Sequence, residues 1–270
     1  MLSSFHTHTY LCKHAEGTPL DYVQKAAEEG CSALGFSDHC PYPNDDIWLY
    51  CRMSAADIPF YKRLVDEAKK EAPFPVYFGF ECEWEPHYLS WFKDTLIGTY
   101  GAEFLALGSH WLPDGGNYEY APVITDKRMT NRYIDFTIEA MRSGIYAFLA
   151  HPDLFLSNRT SIDSDCRAWM EALIDAAVDL QLPLEINGYG LFKTTIERDY
   201  GEDYQYPVKA FWELAAQKGA RIICNSDAHQ IDRVLAGTRT AVRYAEQLGI
   251  TVCDTAEALG FARLETDSEH

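Results

Sequence analysis

The sequence predicts a closed α/β barrel in which parallel strands alternate with helices. The chain has 270 residues, of which 47% are hydrophobic, so it can bury a substantial core. Short apolar runs recur along the chain, and helical patterns with start and stop signals lie between them. Alternation of this kind builds a parallel sheet covered by helices, and seven or eight repeats over about 250 residues favour closure into a barrel. We therefore expect a single domain over residues 1–270.

The predicted strands are short apolar runs that are bounded by turn or polar residues. They cover residues 3–6, 33–36, 76–80, 104–108, 146–150, 183–186 and 221–224.

Helix signals fill the segments between the strands. Thr18 and Pro19 open the first helix, which Gly30 closes, and Ser54 caps a second helix that extends toward Ala72. Further helical patterns cover residues 88–100, 127–143, 164–180, 207–218 and 239–248. Several of them end at a glycine, which is a common helix terminator.

The composition excludes several functional classes. The formal net charge of −18 repels phosphate backbones, so we expect no nucleic-acid partner. The first residues contain neither a basic region nor a long apolar run, which predicts no signal peptide, no membrane span and a cytoplasmic location. The eight cysteines form no CxxC pair, and we expect reduced thiols, including Cys12 and Cys40 near the predicted site. The sequence carries no signal for the oligomeric state.

Ionisable residues follow the predicted strands. In a parallel barrel the carboxyl ends of the strands meet at one rim, where active sites form. Seven of the nine histidines lie close after a predicted strand: His6, His8, His14, His39, His110, His151 and His229. Glu81 and Asp227 occupy equivalent positions. His87 and His270 fall outside the pattern, and we expect both to be surface residues.

The spacing of these residues favours metal binding. His6 and His8 are two residues apart, as are Asp227 and His229, so each pair on a strand presents its side chains to the same side. A cluster so rich in imidazole and carboxylate is costly without a cation, whereas divalent zinc, manganese or iron suits these ligands. We therefore predict a multinuclear metal site at the rim.

Three alternating glutamates follow the third strand. Glu81, Glu83 and Glu85 share one face by their period, so the period alone does not choose among them. Glu81 is closest to the strand and is best placed to reach inward.

Several motifs, in this order, resemble the polymerase and histidinol phosphatase (PHP) superfamily, and within it the PHP-type histidinol phosphatases. They are HTHTYLCKHAEG, GFSDHCP, GFECEW, GSHW, AHPDLF, EINGYGLFK and YPVKAFWELAAQKGARIICNSDAH, and they extend through nearly the whole chain. The resemblance implies a distorted seven-stranded (β/α)7 TIM-like barrel with a trinuclear metal centre at the carboxyl rim. It also implies a phosphomonoesterase that hydrolyses L-histidinol phosphate in histidine biosynthesis.

The resemblance assigns the ligands of three divalent ions, which are zinc, iron or manganese. The first ion is surrounded by His6, His8, Glu81 and Asp227. The second is held by His110 and His151, with Glu81 as the bridge. The third is held by His14, His39 and His229. The residues implied as catalytic are Glu81, Asp227, His110 and His151.

The implied partner is a small phosphorylated substrate, with Lys193 and Arg159 as the cations that bind its phosphate. A water between two ions attacks phosphorus in line, and the ions bind the phosphate oxygens. Asp38 and Asp153 are expected to act through neighbouring histidines, by orienting His39 and His151 respectively.

Other functions remain open on the sequence alone. The first alternative is a PHP phosphoesterase that acts on another small phosphomonoester, such as a nucleotide or sugar phosphate. More remote alternatives are a metal-dependent sugar isomerase and a non-catalytic metal-binding module. The loops 40–54, 111–126 and 188–206, which should shape the substrate pocket, show no pattern that selects among these functions.

Overall fold

Seven parallel strands form the central sheet of the protein. The structure, a computed structural model, describes residues 2–45 and 47–264. The strands are β1 (Leu2–Ser4), β2 (Cys31–His39), β3 (Val76–Cys82), β4 (Phe104–Leu107), β5 (Phe148–Leu149), β6 (Leu184–Asn187) and β7 (Ile222–Asn225). They pair in chain order, and every pairing is parallel.

The sheet closes between its first and last strands, through residues that lie just after the carboxyl ends of β1 and β7. Thr7 and Ala228 form a parallel bridge. The Ala228 amide donates to the His6 carbonyl at 3.2 Å, and the His8 amide donates to the Ala228 carbonyl at 3.0 Å. We call this junction the seam. The seven predicted strands and the distorted (β/α)7 barrel are confirmed.

The helices cover the outside of the barrel. They are α1 (Pro19–Glu28), α2 (Ile58–Glu71), α3 (Lys127–Arg142), α4 (Ser164–Leu180), α5 (Lys209–Gln217), α6 (Ala236–Gln247) and α7 (Thr255–Leu259). Thr18 caps α1 as predicted, in a reciprocal capping box with Asp21. Ser54 caps a single 3-10 turn, Ala55–Asp57, that leads into α2. The predicted helix over 88–100 is instead a π-helix over Trp91–Thr99.

Two β-hairpins lie in loops for which the sequence analysis found no pattern. The first hairpin pairs Trp111–Asp114 with Asn117–Tyr120 and follows β4. The second hairpin pairs Thr195–Arg198 with Gly201–Tyr204 and follows β6. Both therefore lie in loops after the carboxyl ends of barrel strands.

The lower barrel interior, toward the amino ends of the strands, is apolar. Its members are Phe5, Ala33, Phe104, Ala106, Phe148, Ala150 and Ile223, with Ala256 from α7. Two glycines make room for the rings, because a Cβ at Gly35 would lie 2.6 Å from Phe5 and one at Gly79 would lie 2.6 Å from Phe104. A larger apolar cluster fills the space between the sheet and the helices. Among the helices of the described residues, none has the length and apolar character needed to cross a bilayer.

Candidate metal centre

Glu81 occupies the centre of the polar rim. It lies at the end of β3 and is 2% exposed. Its two carboxylate oxygens lie within 4.0 Å of a ring nitrogen of five histidines: His6, His8, His39, His110 and His151. The shortest distances are 2.9 Å to His151 Nε2 and 3.0 Å to His39 Nδ1. Glu81, which sequence position favoured over Glu83 and Glu85, is thus the carboxylate that reaches inward.

The segments beyond β1 and β7 bring their side chains together beside Glu81. Asp227 Oδ1 lies 3.1 Å from His8 Nε2, 3.5 Å from His6 Nε2 and 3.4 Å from His229 Nδ1. Asn187 donates to the other Asp227 oxygen at 3.0 Å. Asp227 has a φ of +50° and His151 one of +30°, which are strained values for non-glycine residues and are typical of functional sites.

Three sets of potential ligand atoms emerge from this arrangement, and the atoms of each set lie within 4.8 Å of one another. The first set is His6, His8 and Glu81. The second is Glu81, His110 and His151. The third is His14, His39 and His229. Asp227 groups with His6 and His151 by the same criterion. The structure therefore brings together all nine residues that were predicted as ligands.

Unpartnered buried atoms show that these residues fit divalent ions. Within the described residues, His6 Nε2, both ring nitrogens of His8 and Asp227 Oδ1 are buried without a hydrogen-bond partner. Leaving buried polar atoms unpaired costs about 1–3 kcal/mol each. Imidazole nitrogens and carboxylate oxygens are the ligands that zinc, manganese and iron take in proteins.

In the first set, buried carboxylates lie beside charged imidazoles, and each kind of group shifts the pKa of the other. Burial by itself raises the pKa of Glu81 and of Asp227, but the charge of His6 and neighbouring histidines holds both pKa values well below their usual range. Burial lowers the pKa of His8, whereas the nearby carboxylates of Asp227 and Asp38, at 3.1 and 3.7 Å from its ring nitrogens, raise it to about 9. In the metal-free protein, His8 therefore carries a proton near neutral pH.

The third set has the opposite character. Burial lowers the pKa of His14, His39 and His229, and the charge of His8 lowers each of these pKa values further. The pKa of His229 falls to about 3. These three imidazoles are thus neutral at pH 7, which is the form that binds metal.

Two further glutamates hold the histidines from behind. Glu185 lies 2.9 Å from His6 Nδ1 and accepts a hydrogen bond from Asn225 at 3.0 Å. Glu83 lies 2.6 Å from His110 Nδ1 and accepts from the His110 amide at 2.8 Å. A carboxylate behind a metal-binding imidazole fixes its tautomer and orientation. No pattern in the sequence predicted this role for either glutamate.

The roles expected for Asp38 and Asp153 need correction. Asp38 Oδ1 lies 3.7 Å from His8 Nδ1, and Asp38 reaches His39 through that residue's backbone amide. Asp153 accepts from the Val208 amide and from the Trp212 indole at 3.0 Å, so it anchors the segment before α5. Both aspartates are buried and bonded, but neither is hydrogen-bonded to the imidazole it was expected to orient.

All eight cysteines are free thiols, as expected. Cys12 is fully buried, and its sulfur lies within 4.8 Å of ligand atoms of His8 and His229. Burial raises the pKa of this thiol far above its usual value. Cys12 is therefore a protonated thiol in the metal-free protein.

A cavity of about 410 Å³ opens onto the metal-ligand cluster. Its outer walls carry the aromatic side chains of Trp111, Tyr120, Tyr189 and Tyr206. A volume of this size suits a small-molecule substrate. Trp111 and Tyr120 come from the first hairpin, with ring centroids 4.9 Å apart. The first hairpin therefore shapes the cavity.

The two predicted phosphate-binding cations have different positions. Lys193 lines the cavity, with its ammonium 4.8 Å from the Tyr189 ring centroid, and burial lowers its pKa. The described lining residues do not include Arg159, whose guanidinium donates to the Ile124 carbonyl and to Thr130. The structure therefore does not bring Arg159 to the cavity, because its donors are used in packing the loop after β5.

A different arginine, Arg52, does line the cavity and was missed by the sequence analysis. No motif marks it, since it lies in the long loop after β2. The expectation for His87 is confirmed, because this side chain is 60% exposed. His270 lies outside the described residues.

Comparisons with known proteins agree with this geometry. A family model described as the PHP domain matches residues 4–188. A relative from Deinococcus radiodurans, described as a probable histidinol-phosphatase, is 29% identical over 92% of this chain and 94% of its own. The histidinol phosphate phosphatase HisK of Lactococcus lactis, solved with zinc, L-histidinol and phosphate, has a TM-score of 0.70 at 16% identity, covering 93% of this chain and 95% of that one. A candidate histidinol phosphatase, HisK of Listeria monocytogenes, has a TM-score of 0.69 at 17% identity over 88% of this chain and 99% of that one.

Proposed function

The chain belongs to the PHP domain family, and on this premise we propose that it is a metal-dependent phosphomonoesterase that hydrolyses L-histidinol phosphate to L-histidinol and phosphate. The observation that carries the proposal is the convergence of three sets of ligand atoms around Glu81, at the floor of one cavity. The Deinococcus radiodurans relative and the zinc, histidinol and phosphate of the Lactococcus lactis enzyme support this substrate.

We propose that the three sets hold three divalent ions, with Glu81 shared between the first and the second. Asp227 would complete the first set, because its Oδ1 lies 3.1 Å from His8 Nε2. When bound, such ions supply positive charge for phosphate oxygens and lower the pKa of a coordinated water toward neutrality. They also supply the local positive field that a chain of charge −18 lacks.

Two buried carboxylates fix the tautomers of two of the candidate ligand histidines. Glu83 accepts the hydrogen of His110 Nδ1 and thereby leaves Nε2 as the free ligand atom of that ring. Glu185 does the same for His6, whose Nε2 then points between Glu81 and Asp227. Lys193 would pair with the phosphate from the cavity wall.

The domain extends beyond the matched family region. Asp227 and His229 follow β7, outside residues 4–188, yet both contact the residues that follow β1. We therefore propose one PHP-type barrel domain over residues 1–270. The charge of −18 also supports the proposal of no nucleic-acid partner. The eight free cysteines support the proposal of a cytoplasmic enzyme.

The test is an assay of phosphate release from a panel of phosphomonoesters, with metal analysis of the same sample. Histidinol phosphate should be hydrolysed more efficiently than nucleotide and sugar phosphates. Preference for another phosphomonoester would show that histidinol phosphate is not the main substrate. Aldose–ketose conversion would indicate an isomerase. Bound metal without turnover would indicate a binding module.

A pair of histidine variants tests the site. His110→Ala should reduce turnover by about three orders of magnitude while the barrel stays folded, since one ligand of the second set is lost. His87→Ala is the matched control, because His87 is exposed and outside the cluster. Wild-type turnover in His110→Ala would contradict the assignment.

A further inference from the structure

Arg52 is a buried cation on the wall of the cavity. It lies in the loop between β2 and α2, and its exposed fraction is 2%. Its Nη1 donates to the Cys40 carbonyl at 2.7 Å, directly after the candidate ligand His39. The guanidinium is thus tied to the backbone of a strand that carries the metal site.

Two aromatic rings hold the guanidinium in place. Its central carbon lies 5.2 Å from the Tyr42 ring centroid and 5.1 Å from the Trp48 ring centroid. Trp48 in turn stacks on Trp111 of the first hairpin, with ring centroids 5.3 Å apart. Cation–π contacts of this kind fix the orientation of an arginine without using its hydrogen-bond donors.

The charge of Arg52 has no matching carboxylate in the described part of the chain. No Asp or Glu oxygen of those residues lies within 4.0 Å of its guanidinium, and its buried Nε has no acceptor among them. Arg198 provides the contrast, because it is 3% exposed and lies 3.3 Å from an Asp203 oxygen. It also donates to the carbonyls of Leu156, Tyr204 and Gln205. The Nε of Arg198 also lacks a hydrogen-bond acceptor, so what distinguishes Arg198 from Arg52 is its ion pair with Asp203.

A buried charge without an ion-pair partner is costly, and an anionic ligand would reduce that cost. Given the proposed phosphatase function, on which this inference rests, we propose that Arg52 binds the phosphoryl group of the substrate, together with Lys193, which lines the same cavity. The histidinol part of that substrate carries an ammonium and an imidazole, so the phosphoryl group is its anionic part. The planar fork of a guanidinium matches two phosphate oxygens at once.

Calorimetric titration of the zinc-loaded protein with inorganic phosphate tests this inference without turnover. Arg52→Met keeps the apolar contacts with Tyr42 and Trp48 but removes the charge. It should weaken phosphate binding by about 10- to 100-fold, the range for loss of a charge-assisted hydrogen bond. Arg63→Met, at an exposed arginine of α2, is the matched control and should bind phosphate as the wild type does.

A second ligand separates the phosphoryl group from the rest of the substrate. L-Histidinol, which lacks phosphate, should bind Arg52→Met and the wild type with equal affinity. Wild-type phosphate affinity in Arg52→Met at full zinc content would overturn the inference. So would equal weakening for histidinol and phosphate.

Arg52→Lys decides the question if Arg52→Met fails to retain zinc. The lysine variant keeps the charge but loses the fork, so a several-fold loss of phosphate affinity supports the inference and an unchanged affinity overturns it. Arg52-dependent phosphate binding in a protein that does not hydrolyse histidinol phosphate would defeat the proposed function alone. Hydrolysis with phosphate binding independent of Arg52 would defeat this inference alone.

Discussion

The barrel interior consists of two layers with opposite chemistry. Toward the amino ends of the strands, Phe5, Phe104 and Phe148 pack with Ala33, Ala106 and Ala150 in one apolar cluster. At the carboxyl ends, Glu81 and the surrounding imidazoles replace the apolar residues. The layers touch where the His6 ring lies 6.2 Å from the Phe148 ring.

The difference separates what holds the fold from what performs the chemistry. The lower layer is stabilised by apolar burial, which does not depend on ions or pH. The upper layer contains buried charges and unpartnered nitrogens that require a bound cation. Changes in one layer should therefore affect stability, and changes in the other should affect metal binding and turnover.

Glu81→Gln should produce the largest effect. The amide keeps the shape but removes the charge that five imidazoles contact, so we expect loss of bound metal and a fall in turnover of about four orders of magnitude. Glu85→Gln, three residues beyond the end of β3 and bonded to Tyr118, is the control. Retention of metal in Glu81→Gln, measured by elemental analysis, would contradict the proposed assignment of metal binding to the upper layer.

Phe104→Ala tests the lower layer. Removing a buried ring that contacts Phe5 and fills the space above Gly79 should lower the free energy of unfolding by about 3–5 kcal/mol. The fraction that remains folded should keep its full metal content. Denaturant titration and metal analysis together check this, with Phe60→Ala, at a half-buried site on α2, as the control. Metal loss without loss of stability would contradict the division.

Glu185→Gln should have an intermediate effect. Glu185 is fully buried and lies behind His6, so the change disturbs the orientation of one ligand without removing it. We expect zinc affinity to fall by about 10- to 100-fold. Chelator competition measures the affinity, and Glu197→Gln in the second hairpin serves as an exposed control. An unchanged affinity would show that Glu185 only fills space.

The smallest effect concerns pH. In the metal-free protein His8 keeps its proton up to a pKa of about 9, so an ion must displace that proton below this pH. The pKa of His6 in the same set is also raised well above its usual value, so zinc affinity of the first set should rise by about 10- to 100-fold per pH unit between pH 7 and pH 9. The third set is already neutral, and its affinity should be constant over that range. Zinc titrations at several pH values measure both pH dependences. Repeating them in His14→Asn, which removes one ligand of the third set, separates binding to the first set from binding to the third.

The strands and the candidate ligands were predictable because both depend on local sequence. Strands buried on both faces appear as continuous apolar runs, and the ligands follow them directly, as Glu81 follows the aromatic run of β3. In a parallel barrel, a position just after a strand is already a position at the rim. The positions of the nine residues relative to the predicted strands were therefore sufficient to predict that they lie together at one rim of the barrel.

Side-chain partners within long loops were not predictable in this way. Arg52 and Arg159 both lie in loops that follow barrel strands. Arg52 nevertheless lines the cavity, whereas Arg159 packs against Trp169. Their difference depends on contacts with residues far along the chain. The first hairpin did have a local signal, since Gly115 and Gly116 both adopt positive φ, as a tight two-residue turn requires.

The seam has a consequence for the order of events during synthesis. His6 and His8 emerge first, whereas their partner Asp227 is added more than two hundred residues later. With Asp227 as its proposed further ligand, the first set is complete only when translation has passed β7. A nascent chain has no complete first site to load before that point, so ion capture becomes a late step that reports the joining of the two ends of the barrel.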